Sequence, residues 1–160
     1  MKKNNNKYLI ILTTILVALV IIIILLSVNL KNKTTFVKPK FDLNTISEIP
    51  ENLDYKSSIL NVNDGYSIYI NASPIVDNDN LIIDFISMSD NNIWIKVRIL
   101  NSNDEIIAET GLVKPGEYLR TVELNKSISK GDAMTYMIMG YEKDSYLSAG
   151  LVKLNTRIGE

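Results

Sequence analysis

The run NIWIKVRIL, residues 92 to 100, alternates without a break: Ile93, Ile95, Val97 and Ile99 share one parity, and Trp94, Lys96, Arg98 and Leu100 share the other. A period of two puts these sets on opposite faces of an extended chain, so the run reads as a half-buried strand with its branched aliphatic face toward a core. The pattern repeats on either side. Residues 81 to 87 (LIIDFIS) lead into it through Met88-Ser89-Asp90-Asn91, and Asn101 to Asp104 turn the chain into 105 to 110 (EIIAET). Further strands are expected at 55–62, 66–72, 118–124, 133–142 and 145–158. Asn63-Asp64-Gly65, Pro115-Gly116 and Lys130-Gly131-Asp132 separate them; Asp-Gly suits a tight hairpin, and Pro-Gly a type II turn. Residues 133 to 142 are apolar at both parities and are expected to be central, with Met134, Met137 and Met139 filling the core. Gly150 marks a bulge or a close backbone approach. Seven or eight short strands spaced about 8 to 12 residues apart make an all-β sandwich or barrel, expected over residues 54–160.

A second stretch decides where such a domain resides. Residues 8–28, YLIILTTILVALVIIIILLSV, carry no charge and are broken only by Thr13, Thr14 and Ser27. At about 1.5 Å per residue they reach roughly 30 Å, the thickness of a bilayer's hydrocarbon core. With no Pro or Gly, one helix satisfies every backbone group in lipid. The basic start MKKNNNK resembles that of a secretory signal, yet the apolar run exceeds the usual h-region of about 7 to 15 residues and no A-x-A-like site follows. The expectation is a transmembrane α-helix serving as an uncleaved signal anchor over 8–28, after a cytoplasmic tail at 1–7. Residues 29–53, polar and holding Pro39 and Pro50, read as a stalk in which Phe36, Phe41, Leu43, Ile46 and Ile49 can let part of it lie on headgroups or dock as an irregular first strand. Lys2, Lys3 and Lys7 face Lys31, Lys33, Lys38 and Lys40 across the span, so the positive-inside count is nearly balanced. A cysteine-free β domain suits an oxidising compartment, which makes the domain extracytoplasmic in this reading.

Composition excludes more than it assigns. The chain has no Cys and no His, so disulfides, thiolate and imidazole metal sites and the commonest general base are absent. From Glu51 onward there are ten basic and sixteen acidic residues, a net charge of -6 that opposes binding to nucleic acid. The seven lysines before Pro50 flank the helix, where anionic headgroups lie.

The segment IIAETGLVKPGEYLRTVEL (106–124), with Gly131, Tyr141 and Ala149-Gly150 beyond it, resembles small membrane-anchored or exported Gram-positive surface proteins. In that family an E-[ST]-G-[LI]-[IV]-x-P-G-x-Y segment joins two strands of an immunoglobulin-like sandwich. The resemblance implies a fold and a place at the envelope and carries over no catalytic, metal-binding or cofactor-binding residues.

No constellation names a reaction. Among the carboxylates Asp84, Asp104, Glu105, Glu109, Glu117, Glu123 and Asp132, only Asp84 interrupts an apolar strand pattern, and glycosidase chemistry needs a pair. Asp77-Asn78-Asp79-Asn80 and Asn101 to Glu105 offer clustered oxygens for calcium, but neither matches an EF-hand loop, and Asx-rich turns explain both. The candidate binding surface is Trp94 with Lys96 and Arg98 on the polar face of the 92–100 strand, joined by Tyr69; Tyr66, Tyr136, Tyr141 and Tyr146 add aromatic area. The expected role is structural or protein-binding at the cell envelope, without enzymatic activity or cofactor. The alternative is a cell-wall or glycan-binding module built on Trp94 and nearby tyrosines.

Overall fold

The computed structural model describes residues 5–31, 36–62 and 65–159. The chain divides into two compact units, Met1–Val37 and Lys38–Glu160. The first holds one helix, α1 (Asn5–Lys31), formed where Ile, Leu and Val crowd a stretch free of Gly and Pro. Thr14 Oγ1 donates to Ile11 O at 2.8 Å, which satisfies its hydroxyl within the helix. The side chains described without a gap are those of residues 11–23, about 20 Å of helix, and all are exposed. Among the described residues no helix is long and apolar enough to cross a membrane. The expected span 8–28 lies inside α1, and its crossing of a bilayer rests on the sequence.

The second unit is an all-β sandwich with nine strands among the described residues, against the seven or eight expected. They are β1 (Leu60–Val62), β2 (Tyr66–Tyr69), β3 (Ile75–Asp77), β4 (Asn80–Ser87), β5 (Ile93–Asn101), β6 (Ile106–Glu109), β7 (Tyr118–Glu123), β8 (Ala133–Glu142) and β9 (Ser148–Arg157). The extra strand is β3, three residues after Pro74 that pair Ile75 with Ile82 and Asp77 with Asn80. The expected first strand, 55–62, is a 3-10 turn at Lys56–Ser58 followed by β1 alone. Of the expected Asn63-Asp64-Gly65 turn, Asn63 and Asp64 lie outside the described residues; Gly65 has the positive φ of 93° that the turn requires.

One sheet is centred on β4. Ile82 pairs with Ile75 and Thr121, and Ile86 with Tyr69 and Tyr118, so β3 and β2 follow one another along one edge of β4 while β7 takes the other. β1 extends this sheet beyond β2. The other sheet runs β6-β5-β8-β9, and every ladder in both sheets is antiparallel. As expected, β8 is central and β5 buries its aliphatic face: Ile95, Val97 and Ile99 have no exposed area and meet Ile68, Leu81, Ile83 and Phe85 of the facing sheet. Met134 joins this core. Met137 and Met139 do not: their parity puts them opposite Arg98 and Lys96, on the outer face and half-buried. A central strand is apolar on both faces here because long side chains cover its outer one.

The Pro-Gly turn forms as expected, with Glu117 N–H donating to Lys114 O at 3.1 Å and Gly116 at φ 79°. Gly150, at φ 114°, sits where β9 gains a residue over β8 and makes a bulge.

Of the stretch read as a stalk, residues 38–53 fall within the sandwich's compact unit, the docking alternative for that stretch. Phe41 bridges Leu112 in parallel, with Asp42 N–H donating to Leu112 O (3.0 Å) and Leu112 N–H to Lys40 O (2.8 Å). Four residues on, Ile46 exchanges two hydrogen bonds with Tyr118, at 2.9 and 2.8 Å. Asp42 shapes the turn between: Oδ1 accepts from Asn44 N–H and Oδ2 from Gly111 N–H, at 3.0 and 2.8 Å. This strap, residues 38–46, can lie so close because residue 111 has no side chain. A Cβ there would fall on the Asp42 backbone nitrogen and 2.6 Å from its Cα. Gly111→Ala is therefore expected to cost about 1–3 kcal/mol by forcing the strap off its seat; urea unfolding of the full chain in detergent, compared with wild type, measures it.

Candidate functional site

The segment 109–118 builds the surface that the sequence singles out. It begins with Glu109, which pairs with Arg98 across the β5–β6 ladder. Thr110, almost wholly buried, accepts Val97 N–H on Oγ1 (3.0 Å) and donates to Gly111 O (2.7 Å), replacing a backbone bond where the ladder slips by one residue. The slip brings Val113 opposite Ile95 and sends the chain across to β7. The outer face of β5 is left with three side chains in a row, Trp94, Lys96 and Arg98.

These three are together, as expected. Lys96 Nζ reaches Glu109 Oε1 at 2.5 Å, and Arg98 holds Glu109 Oε2 through Nε at 2.6 Å and a terminal nitrogen at 2.5 Å. Two cations thus share one carboxylate and leave one net positive charge. Burial raises the Glu109 pKa, but the bonds and charges of Lys96 and Arg98 together outweigh it and hold the carboxyl below its ordinary value of 4.5.

Trp94 is flanked on two sides. Phe41 of the strap meets it edge-on, centroids 4.9 Å apart and planes at 83°, and Tyr146 lies at 5.1 Å and 56°. Lys114 Nζ stands 4.9 Å from the Phe41 ring centroid and Lys38 Nζ 4.8 Å from that of Tyr146. Sequence reasoning missed Phe41, Lys38 and Lys114, since the strap that brings two of them was read as stalk. Tyr141 pairs opposite Trp94 and extends the aromatic area.

Tyr69 is not part of this surface. It lies in the other sheet, on β2, with its ring 6.3 Å from that of Tyr55. Tyr66 and Tyr136 are in the core, Tyr136 Oη donating to Asn71 O at 3.1 Å. Tyr69 neighbours a second feature, centred on Asp84. This residue has a φ of 39° at a bulge where β4 takes three residues to two of β7. Tyr118 Oη donates to Asp84 Oδ1 at 2.5 Å, and the pair lines a groove of about 460 Å³ with Ile46, Pro50, Leu53, Ile82, Asn52 and Arg120. Burial first, then the bond to Asp84 and its charge, push the Tyr118 phenol well above its ordinary pKa. Tyr69 is raised by burial, then by Asp84 and Asp54. The groove is lined by one carboxylate, where glycoside hydrolysis takes two.

The Asx-rich loops cap themselves. Asn101 Oδ1 accepts from Asn103 and Glu105 N–H, while Asn101 Nδ2 and Lys126 Nζ engage the Glu105 carboxylate. Asp77 Oδ1 accepts from Asn78 Nδ2. Among the described residues no group of three or more Asp, Glu, His or Cys is placed to hold a metal ion.

No protein-family model matches this sequence, and no curated protein matches it significantly.

The Glu109 bridge has a pH signature. A carboxyl whose pKa is lower folded than unfolded stabilises the fold above the ordinary value, and that contribution is lost as pH falls through the folded value. Thermal melts of wild type and Glu109→Gln should differ most at neutral pH and converge as the pH falls below the carboxyl's ordinary value of 4.5.

Proposed function

We propose that this is a single-pass membrane-anchored protein whose immunoglobulin-like sandwich stands outside the cytoplasm and serves a structural or protein-interaction role at the cell envelope. The uncharged run 8–28 within α1 and the lysines on both sides of it support the anchor. Strand pairing supports the immunoglobulin-like assignment: β4 with β7 in one sheet, and β5 with β8 and β8 with β9 in the other, correspond to the B–E, C–F and F–G pairs of such sandwiches. The resemblance of 106–124 to small Gram-positive surface proteins agrees with both.

The observation that carries the interaction role is the outer face around Trp94. Trp, Tyr and Arg are the residues that dominate protein interfaces, and here Trp94 is fixed in orientation by Phe41 and Tyr146. Leu147, beside Tyr146 in the chain, is 63% exposed. The ring planes cross at 83° and 56°, whereas stacking against a polysaccharide needs an open, flat array. The geometry therefore favours a protein partner over the glycan-binding alternative.

The chain has no cysteine, so Ser102→Cys in the exposed β5–β6 turn gives a single reactive site. A membrane-impermeant maleimide should label it in intact cells as fully as in lysed ones. Labelling only after lysis places the sandwich in the cytoplasm and removes the proposal. In the same cells Trp94→Ala should abolish a specific protein cross-link and leave retention on purified cell wall unchanged; the reverse result would establish the glycan reading.

A further inference from the structure

The two sides of the sandwich are unlike. On one side the sheets are tied together: Ala108 of β6 bridges Leu124, and Asn125 N–H donates to Ile107 O at 2.7 Å. On the other side the sheets meet at the C-terminal end of β9, where Thr156 Oγ1 donates to Ala72 O and Gly159 N–H to Pro74 O at 2.7 Å; short of that end, among the described residues, each sheet ends in a strand with one neighbour, β1 beyond β2 and β9 beyond β8. Between these two edges runs a groove of about 360 Å³, walled by Leu60, Val62 and Ile68 from one sheet and Val152 and Leu154 from the other. Burial marks it as uncovered. Ile138 and Tyr136 of β8 are 0% and 1% exposed, while their inward-facing partners on β9, Val152 and Leu154, are only half-buried.

The backbone of β9 is open along the same line. Ile158 N–H donates to Asp132 O at 3.0 Å, and Ile158 O accepts from Gly131 N–H at 2.9 Å, so even-numbered residues turn their backbone groups toward β8. Alternation then turns those of Leu151, Lys153, Asn155 and Arg157 to the open edge. This edge is also basic. Ser148–Arg157 holds Lys153 and Arg157 and no acidic residue, on a domain whose net charge from Glu51 onward is -6.

We propose that this seam is a β-augmentation site for an extended segment of a partner protein in which apolar and acidic residues alternate. Such a segment pairs with the free edge of β9, sets its apolar side chains into the groove and lays its carboxylates beside Lys153 and Arg157. The strand period of two makes both demands compatible, because inward and outward positions alternate on the incoming chain as they do on β9. A second copy of this chain is a poorer occupant, since it brings a second cationic edge against the first. The inference rests on the protein-interaction role proposed above and supplies its mode and partner chemistry.

The test uses the full chain in detergent micelles and a blocked, fluorescent nine-residue peptide of alternating glutamate and valine. A lysine–valine peptide and a peptide of the same composition with its glutamates grouped are the controls. Anisotropy should show binding of the alternating acidic peptide alone, with new amide protection at Leu151, Lys153 and Asn155 by hydrogen exchange. Asn155→Pro removes one edge-facing N–H and keeps the bonds to β8, so it should weaken binding roughly tenfold or more with little change in melting temperature. Asn155→Ala, which loses only the bond accepted from Thr135 Oγ1, should bind as wild type. Lys153→Glu should reverse the preference toward the lysine–valine peptide. Protection away from β9, equal binding of all three peptides, or wild-type binding by Asn155→Pro would overturn the proposal. So would β9 amides already protected in a dimer without peptide. If the edge fails while the Trp94-dependent cross-link persists, the interaction role stands and only this mode of it falls.

Discussion

The sandwich depends on an approach of two backbones that only glycine permits. Gly111 gives up its side-chain volume to the backbone of Asp42, and in return its N–H is taken by the Asp42 carboxylate. Around that point the strap touches both halves of the fold, through Leu112 beside the β5–β6 ladder and through Tyr118 at the start of β7. A segment with no regular strand of its own thereby closes the end of the structure where the chain crosses between sheets. The same seat delivers Phe41 to Trp94, so the geometry of the candidate surface is a consequence of a backbone contact at the adjacent residue, Asp42.

Two faces of the domain follow from that arrangement, and their chemistry differs. The outer face of β5 concentrates aromatic rings capped by lysines, with Glu109 neutralising one of the two cations between them. The outer face of β4 and β7 carries Asp84 and Tyr118 in a groove roofed by the residues that follow the strap. Both are concave or rigid enough to recognise something, yet only the first sets Trp, Tyr and Arg together. Asp84 holds a left-handed backbone conformation at a bulge, a strained arrangement that the phenol of Tyr118 helps to hold in place.

Strand alternation carried most of the fold's legibility. Ile95, Val97 and Ile99 are buried because a period of two has one solution once a core exists, and the β5 reading located that core and the Trp94 face together. What alternation does not encode was not legible. Residues 38–46 pair through isolated bridges, one residue at a time, so their side chains show no period and the sequence reads as linker, with docking only as an alternative. Three residues of β3 are too few to alternate. Met137 and Met139 have the hydropathy of core residues and lie outside it, under neighbours whose stems are apolar and whose ends are charged. Tyr69 was grouped with Trp94 by residue type, and the sheet assignment that separates them depends on non-local pairing. One signal was present and unused: Thr110-Gly111 ends a strand pattern without a turn, and a glycine in that setting marks close backbone approach.

The folded unit begins at Lys38, and the strap is part of its cooperative core. Native-state hydrogen exchange of the full chain tests this most directly, comparing the amides of Asp42, Ile46 and Gly111 with that of Val97 in β5. All four are hydrogen-bonded, and the account predicts that they open together, with the free energy of global unfolding. Exchange of Asp42 and Ile46 at nearly unprotected rates, while Val97 stays protected, would show that the strap frays independently and would contradict it.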